Sequence, residues 1–238
     1  MEVYILVLDV YGASDIGRVR SLNEDSFCIY GFEQKSLPGF CVLSDGMGGH
    51  NAGEVASQKT VQFVAETLME VIAEPTAAML PGKIGSAVRF ANEKIYQMAD
   101  ANQNQKGMGA TLVAAVIQQE EAYIANVGDS RAYAFRNHEL LQITKDHSVV
   151  EEMVANGCIT RDEARIHPQR NIITRAIGTD PVTEPDIFEF DYLPGDCLLL
   201  CSDGLSGMVE DDEILAVMEQ NMDAEHTVQT LIAAANDH

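Results

Sequence analysis

Ala110-Thr111-Leu112-Val113-Ala114-Ala115-Val116-Ile117-Gln118, Ala122-Tyr123-Ile124-Ala125-Asn126-Val127, Ser130-Arg131-Ala132-Tyr133-Ala134-Phe135-Arg136 and Leu140-Leu141-Gln142-Ile143-Thr144 follow one another closely, with only short polar joints between them. Each run is rich in β-branched, aromatic or small apolar residues and is too short for a stable helix. Asn137-His138 suits the tip of a two-residue hairpin. Strands joined this tightly pair antiparallel, because a parallel partner needs a long crossover.

Helical patterns lie on either side of this block. Asn51 and Glu54 have capping-box spacing and open a helix of roughly twenty residues. Val55, Ala56, Thr60, Phe63, Val64, Leu68, Val71 and Ile72 form its apolar stripe. Pro75 and Pro81 bracket a loop, and a second helix at 83–102 presents Ile84, Ala87, Val88, Ala91, Ile95 and Met98. Two long amphipathic helices in succession are expected to pack antiparallel. Further upstream, strands are expected at 3–11, 26–32 and 39–44, the last two joined by a Pro38-Gly39 turn.

Downstream, Ser148–Asn156 reads as a short helix closed by Gly157, and Thr160 with Glu163 makes another capping box. A brief strand is expected at 172–176. The block from His147 is polar and broken, which predicts a surface insertion beside a site and not core. Strands return at 186–191 and 197–202, hinged by Leu193-Pro194-Gly195-Asp196, and helices follow near 210–220 and 223–235. Helices before and after runs of strands, without βαβ alternation, indicate an α+β fold with antiparallel sheets.

The 238 residues suffice for one domain with a substantial core. With 46% hydrophobic and 22% charged residues, the chain is globular and not disordered. Its formal charge of −22 argues against nucleic-acid or anionic-membrane binding, which need a basic footprint. Handling an anionic substrate would require metal ions or a local arginine to invert the field. Cysteines 28, 41, 158, 197 and 201 form no Cys-x-x-Cys pair. Four of them lie in or beside apolar runs, where a free thiol behaves as a small buried hydrophobe. A reducing cytoplasm and a monomer are expected. The first ten residues lack a basic leader and are broken by charge. No apolar run approaches the ~20 residues of a membrane span.

Three strand ends share one grammar: Ser44-Asp45-Gly46, Gly128-Asp129-Ser130-Arg131 and Ser202-Asp203-Gly204-Leu205. Glu24-Asp25 ends an early polar loop. Aspartate before glycine is usually a turn former. Several such aspartates gathered at one place would repel one another unless cations neutralised them, and hard oxygen ligands suit Mg²⁺ or Mn²⁺. Arg20, four residues before Glu24, could offer a phosphate its guanidinium fork. There is no Gly-x-x-x-x-Gly-Lys-[Ser/Thr] loop and no His-Glu-x-x-His motif.

Taken in order, Arg20-x-x-Asn23-Glu24-Asp25, Asp45-Gly46-Met47-Gly48-Gly49-His50, Gly107-Met108-Gly109-Ala110-Thr111, Val127-Gly128-Asp129-Ser130-Arg131 and Ser202-Asp203-Gly204-Leu205 resemble the metal-dependent type 2C protein phosphatases, the PPM family, in its compact bacterial branch. The resemblance spans nearly the whole chain. It implies a single phosphatase domain over 1–238, built as a four-layer α-β-β-α sandwich of two antiparallel sheets flanked by helix pairs. The insertion at about 147–180 resembles that branch's flap. The implied cofactors are two Mn²⁺ or Mg²⁺ ions, with a third position. Asp45 would bridge two of them and the Gly46 carbonyl would bind one. Asp203 would bind the first and face the third, and Asp129 would hold the third. Asp25 would act mostly through metal-bound waters, Arg20 would clamp the phosphate, and Glu24 is a lesser candidate behind them. The implied activity is hydrolysis of phosphoserine and phosphothreonine in proteins by a two-metal-activated water, opposing a cognate Ser/Thr kinase.

Two departures stand out. Many eukaryotic members carry a histidine after Asp-Gly as general acid, whereas here the residue is Met47, and His50 is the nearest replacement. The family also ends in a Gly-Gly-x-Asp-Asn segment and a last strand. This chain stops at Ala233-Ala234-Ala235-Asn236-Asp237-His238, so a missing last strand and ligand, weak binding of the first metal and reduced stability are expected. Asp237 does not match the motif and receives no role. A second reading is a catalytically weak relative that senses or sequesters a partner through its flap, and a third is a hydrolase of small phosphoesters.

Overall fold

Period-two alternation along one central strand organises the protein. A computed structural model describes residues 8–32, 38–49, 52–73, 79–118 and 121–238. In chain order the elements are β1 (Asp25–Tyr30), β2 (Gly39–Met47), α1 (Ala52–Ala73), α2 (Leu80–Ala101), β3 (Gly109–Ala110), β4 (Leu112–Gln118), β5 (Glu121–Val127), β6 (Arg131–Arg136) and β7 (Glu139–Gln142). They continue with α3 (Val149–Ala155), α4 (Arg161–Arg165), β8 (Asp186–Asp191), β9 (Cys197–Cys201), α5 (Asp203–Ser206), α6 (Asp211–Met218) and α7 (Ala224–Asp237). Along β4, Leu112, Ala114 and Val116 join the core beneath α1 and α2, while Val113, Ala115 and Ile117 join the core between the sheets. Both faces of β4 are therefore buried, which is why its sequence is a continuous apolar run.

One sheet runs β1-β2-β4-β5-β8 with β3 paired to β2, and the other runs β7-β6-β9. Every strand pair in both is antiparallel. On the first sheet's outer face lie α1 and α2, with Leu68, Ile84, Val88 and Ile95 fully buried. On the second sheet's outer face, Val209, Ile214, Val217, Met218 and Leu231 pack with Phe135 and Leu199. The expected four-layer α-β-β-α sandwich is the observed one.

The tight block at 110–144 is divided between the two sheets: β5 belongs to one and β6 to the other, and the joint is Gly128-Asp129. β8 and β9 likewise part at 192–196. Asn137 and His138 form the β6–β7 hairpin tip, with φ of 51° and 64°. These are the left-handed angles that a type I′ turn demands.

Several local expectations need correction. Gly39 is already in β2, and residues 33–37 lie outside the described residues. The strand expected at 3–11 falls partly outside them, and residues 8–11 are not strand. Pro81 sits in the first turn of α2, where its missing N–H costs nothing. At 172–176 there is no strand; Ser148 bridges Ile173 and Ala110 bridges Ile177. Ile177 is fully buried in the helix-side core and Ala176 is 3% exposed, so the insertion's base is core, contrary to its polar appearance. Of the five cysteines only Cys201 is buried.

Candidate metal centre

Two aspartates face each other across a strand pair. Asp25 opens β1 and Asp45 lies near the end of β2, and the antiparallel register sets them directly opposite. Like charges so placed are destabilising in a sheet. Burial, then the neighbouring charges of Asp25, Asp203 and Asp129, push the Asp45 carboxyl up to about 9. Burial also raises Asp25, helped by Asp203, and opposed by a hydrogen bond from Ser202 Oγ to Asp25 Oδ2 at 2.8 Å. Asp129 is pushed up to about 7 by burial, then by Asp203 and Asp146. All four sequence-derived aspartates thus act on one another. Arg20 is close enough to Asp25 to oppose that rise, and both line the cleft that also contains Asp45, Asp129 and Asp203.

Each carboxylate arrives on a different support. The β2 end is held by its partners: Ser44 Oγ donates to the Thr111 carbonyl at 2.6 Å, and the Asp45 N–H donates to Thr111 Oγ1 at 2.9 Å. Gly46 donates its N–H to the Glu24 carbonyl at 3.0 Å. A Cβ at Gly46 would lie 1.9 Å from the Gly53 carbonyl oxygen, so only glycine lets β2 meet the start of α1 here.

Asp129 sits in the joint between the sheets. Gly128 before it has φ of 105°, and the His147 N–H donates to its carbonyl at 2.9 Å. The Gly128 N–H donates to His147 Nδ1 at 3.0 Å, which leaves the ring proton on Nε2, 3.3 Å from Asp186 Oδ2. Burial, then Arg175, lowers the His147 pKa, in keeping with this neutral form. Asp203 begins α5 directly after β9, with Ser202 at the N-cap, and its side chain is exposed.

The donor set fits a hard divalent cation. Carboxylate oxygens predominate, and the burial and neighbouring negative charge that keep protons on Asp45 and Asp129 are what a cation would offset. Among the described residues no three Asp, Glu, His or Cys side chains close on one point. Mg²⁺-like ions are commonly held by one or two carboxylates with water completing the shell, so that geometry suffices. His50, the expected proton donor, lies outside the described residues.

Known proteins share this fold. The protein phosphatase 2C family description matches residues 12–235. The chain belongs to that family. It is therefore a metal-dependent protein phosphatase that works with Mn²⁺ or Mg²⁺. It is 38% identical over 225 residues to the serine/threonine phosphatase stp of Listeria monocytogenes, covering 94% of this chain and 88% of that one. Its fold matches the crystal structure of Stp1 from Staphylococcus aureus with a TM-score of 0.84 and 38% identity, over 100% of this chain and 94% of that one. It also matches the catalytic domain of PstP in complex with two manganese ions, with a TM-score of 0.80, 37% identity, and 94% and 90% coverage.

Some participants were not singled out by sequence. Ser202, Thr111 and Ser130 lie inside the quoted motifs, but nothing in their spacing gives their hydrogen bonds. Asp146 accepts from Arg131 Nε and Nη2 at 2.8–3.1 Å and raises Asp129. Its one visible signal is its place two residues after the Leu140–Thr144 run, without the glycine that marks the other three.

Proposed function

We propose that this phosphatase hydrolyses phosphoserine and phosphothreonine in proteins by direct attack of water, opposing one or more Ser/Thr kinases. Residues 1–238 act as one domain, with 147–180 as a flap, in a monomeric cytoplasmic protein. Among the described residues no helix is long and apolar enough to cross a membrane. The observation that carries the reading is the facing pair Asp25 and Asp45, joined in one cleft by Asp129 and Asp203.

Two Mn²⁺ or Mg²⁺ ions, when bound, would supply an activated water and offset the charge on the attacking and leaving oxygens. Asp45 and the Gly46 carbonyl would hold them together with Asp203, and Asp129 would hold a third. Asp25, with one oxygen on Ser202, orients water through its other oxygen. Arg20 is drawn to the phosphoryl oxygens and turns the substrate so that the Ser or Thr oxygen leaves in line. The P–O bond to that oxygen breaks, inorganic phosphate is released, and the alkoxide takes a proton from His50. No covalent phosphoenzyme is formed, so no Cys or Ser nucleophile is needed.

A phosphothreonine peptide and a chromogenic aryl phosphate, each assayed with Mn²⁺ and with chelator, test this. Metal-dependent turnover of both is expected, with higher kcat/KM for the peptide than for small metabolite phosphoesters. Absence of metal-dependent turnover would instead favour the sensor reading. His50→Gln is expected to slow the peptide by about 10²-fold and to spare the aryl phosphate, whose leaving group needs no proton. Equal loss on both substrates removes His50 from the proton step.

A further inference from the structure

We propose that Thr111 is a positioning residue that fixes the spacing of Asp45 and Asp129 and thereby sets the affinity for divalent metal. The inference rests on the carboxylate site proposed above. Thr111 is 4% exposed and lies between β3 and β4. Its N–H donates to the Asp45 carbonyl at 2.8 Å, and its Oγ1 accepts the Asp45 N–H at 2.9 Å. One residue is thus bonded to both backbone groups of Asp45. The same Oγ1 lies 2.7 Å from Ser130 Oγ, and Ser130, next to Asp129, is fully buried. Ser44 Oγ, also fully buried, donates to the Thr111 carbonyl.

The hydroxyl therefore ties together two chain ends that belong to different parts of the fold. Asp45 rides on β2 of the first sheet, and Asp129 sits where the chain leaves that sheet for the second. The Thr111 methyl closes the space on the Asp129 side, since a Cβ on Gly128 would lie 2.8 Å from Thr111 Cγ2. The hydroxyl has one proton and two lone pairs, and at 4% exposure Thr111 leaves it little room for a substitute partner. With Asp45 N–H and Ser130 Oγ both satisfied by one oxygen, the two aspartate backbones cannot drift apart without stranding a buried polar group. Groups that orient metal ligands in this manner govern affinity without touching the ion.

The test is Mn²⁺ titrated calorimetrically into metal-free protein, with thermal stability in chelator measured in parallel. Thr111→Val keeps the shape and removes the hydroxyl, and should weaken Mn²⁺ binding on the order of 10-fold to 100-fold. Thr111→Ser should restore wild-type affinity. A Thr111→Val protein that binds Mn²⁺ like wild type overturns the proposal, as does a Thr111→Ser protein with the affinity of Thr111→Val. Should Thr111→Val not fold, Ser130→Ala cuts the same link from the other side, and wild-type affinity there is equally fatal. In the double variant the two losses should be less than additive, and full additivity would contradict a shared bond. Asp45→Ala separates the two claims. If it binds Mn²⁺ like wild type, the metal site itself falls; if it loses binding while Thr111→Val does not, only the role of Thr111 falls.

Discussion

Ser44-Asp45-Gly46 and Ser202-Asp203-Gly204 are the same tripeptide on unlike supports. The first ends a strand packed beneath α1, with its serine bonded to backbone and its glycine pressed against a carbonyl. The second opens a one-turn helix, with its serine bonded to Asp25 and its glycine in open surroundings, where a Cβ would meet only Ser202 Oγ at 3.4 Å. Asp45 is half-buried and Asp203 exposed. The cleft thus pairs a carboxylate held by the fold with a more exposed one. Identical local sequence does not impose identical mechanics; the neighbours do.

The largest expected effect treats the two aspartates alike. Asp45→Ala and Asp203→Ala should each reduce turnover to the level seen in chelator while far-ultraviolet circular dichroism stays unchanged, and retained activity in either breaks the pairing. The glycines should then separate them. Gly46→Ala places a Cβ 1.9 Å from the Gly53 oxygen and should cost about 3 kcal/mol or more in denaturant unfolding. Gly204→Ala should stay within about 1 kcal/mol of wild type, and an equal loss at both positions would mean that the supports do not differ.

Protonation sharpens the contrast further. Asp45 at about 9 and Asp129 at about 7 both stand above their ordinary value of 3.8. The native state therefore holds more protons than the unfolded chain between these limits, so metal-free stability should fall as pH rises from about 4 to 9, most steeply below 7. Saturating Mn²⁺, which favours the ionised carboxylates, should flatten this slope in thermal melts at several pH values. Asp45→Asn should flatten it without metal. Smallest of all, Ser202→Ala removes one hydrogen bond and should cost about 1 kcal/mol. Its signature is a further rise of the Asp25 pKa, readable by NMR titration, because that bond now holds it down.

What could be read from sequence followed from periodicity. The β-rich run of β4, the helix-side stripe of α1 and the Asn137-His138 tip are local patterns, and each appears where its residues put it, while the division of β4 between two cores does not show in its continuously apolar sequence. Asp45, Asp129 and Asp203 were legible because strand-end grammar repeats, and Asp25 because it closes the acidic pair that ends the early polar loop. Their support was not. His147 looks like the start of a polar insertion, yet it is 8% exposed because its partner Gly128 lies on a strand end far back in the chain. The 172–176 run reads as a strand, but the isolated bridges at Ile173 and Ile177 go to different elements, so no ladder forms. Cys197 stands in an apolar run and is exposed at the start of β9.

The base of the insertion has a practical consequence. The Val149 N–H donates to the Ile172 carbonyl at 2.9 Å, and the Thr174 N–H donates to the His147 carbonyl at 2.8 Å. The two ends are stitched side by side before the chain departs and after it returns. Residues 150–171 therefore leave and return through one stem, and Arg165 ties them to the Val209 carbonyl and to Glu210. A segment held by such a stem can change in length beyond it without disturbing the backbone bonds that join its two ends.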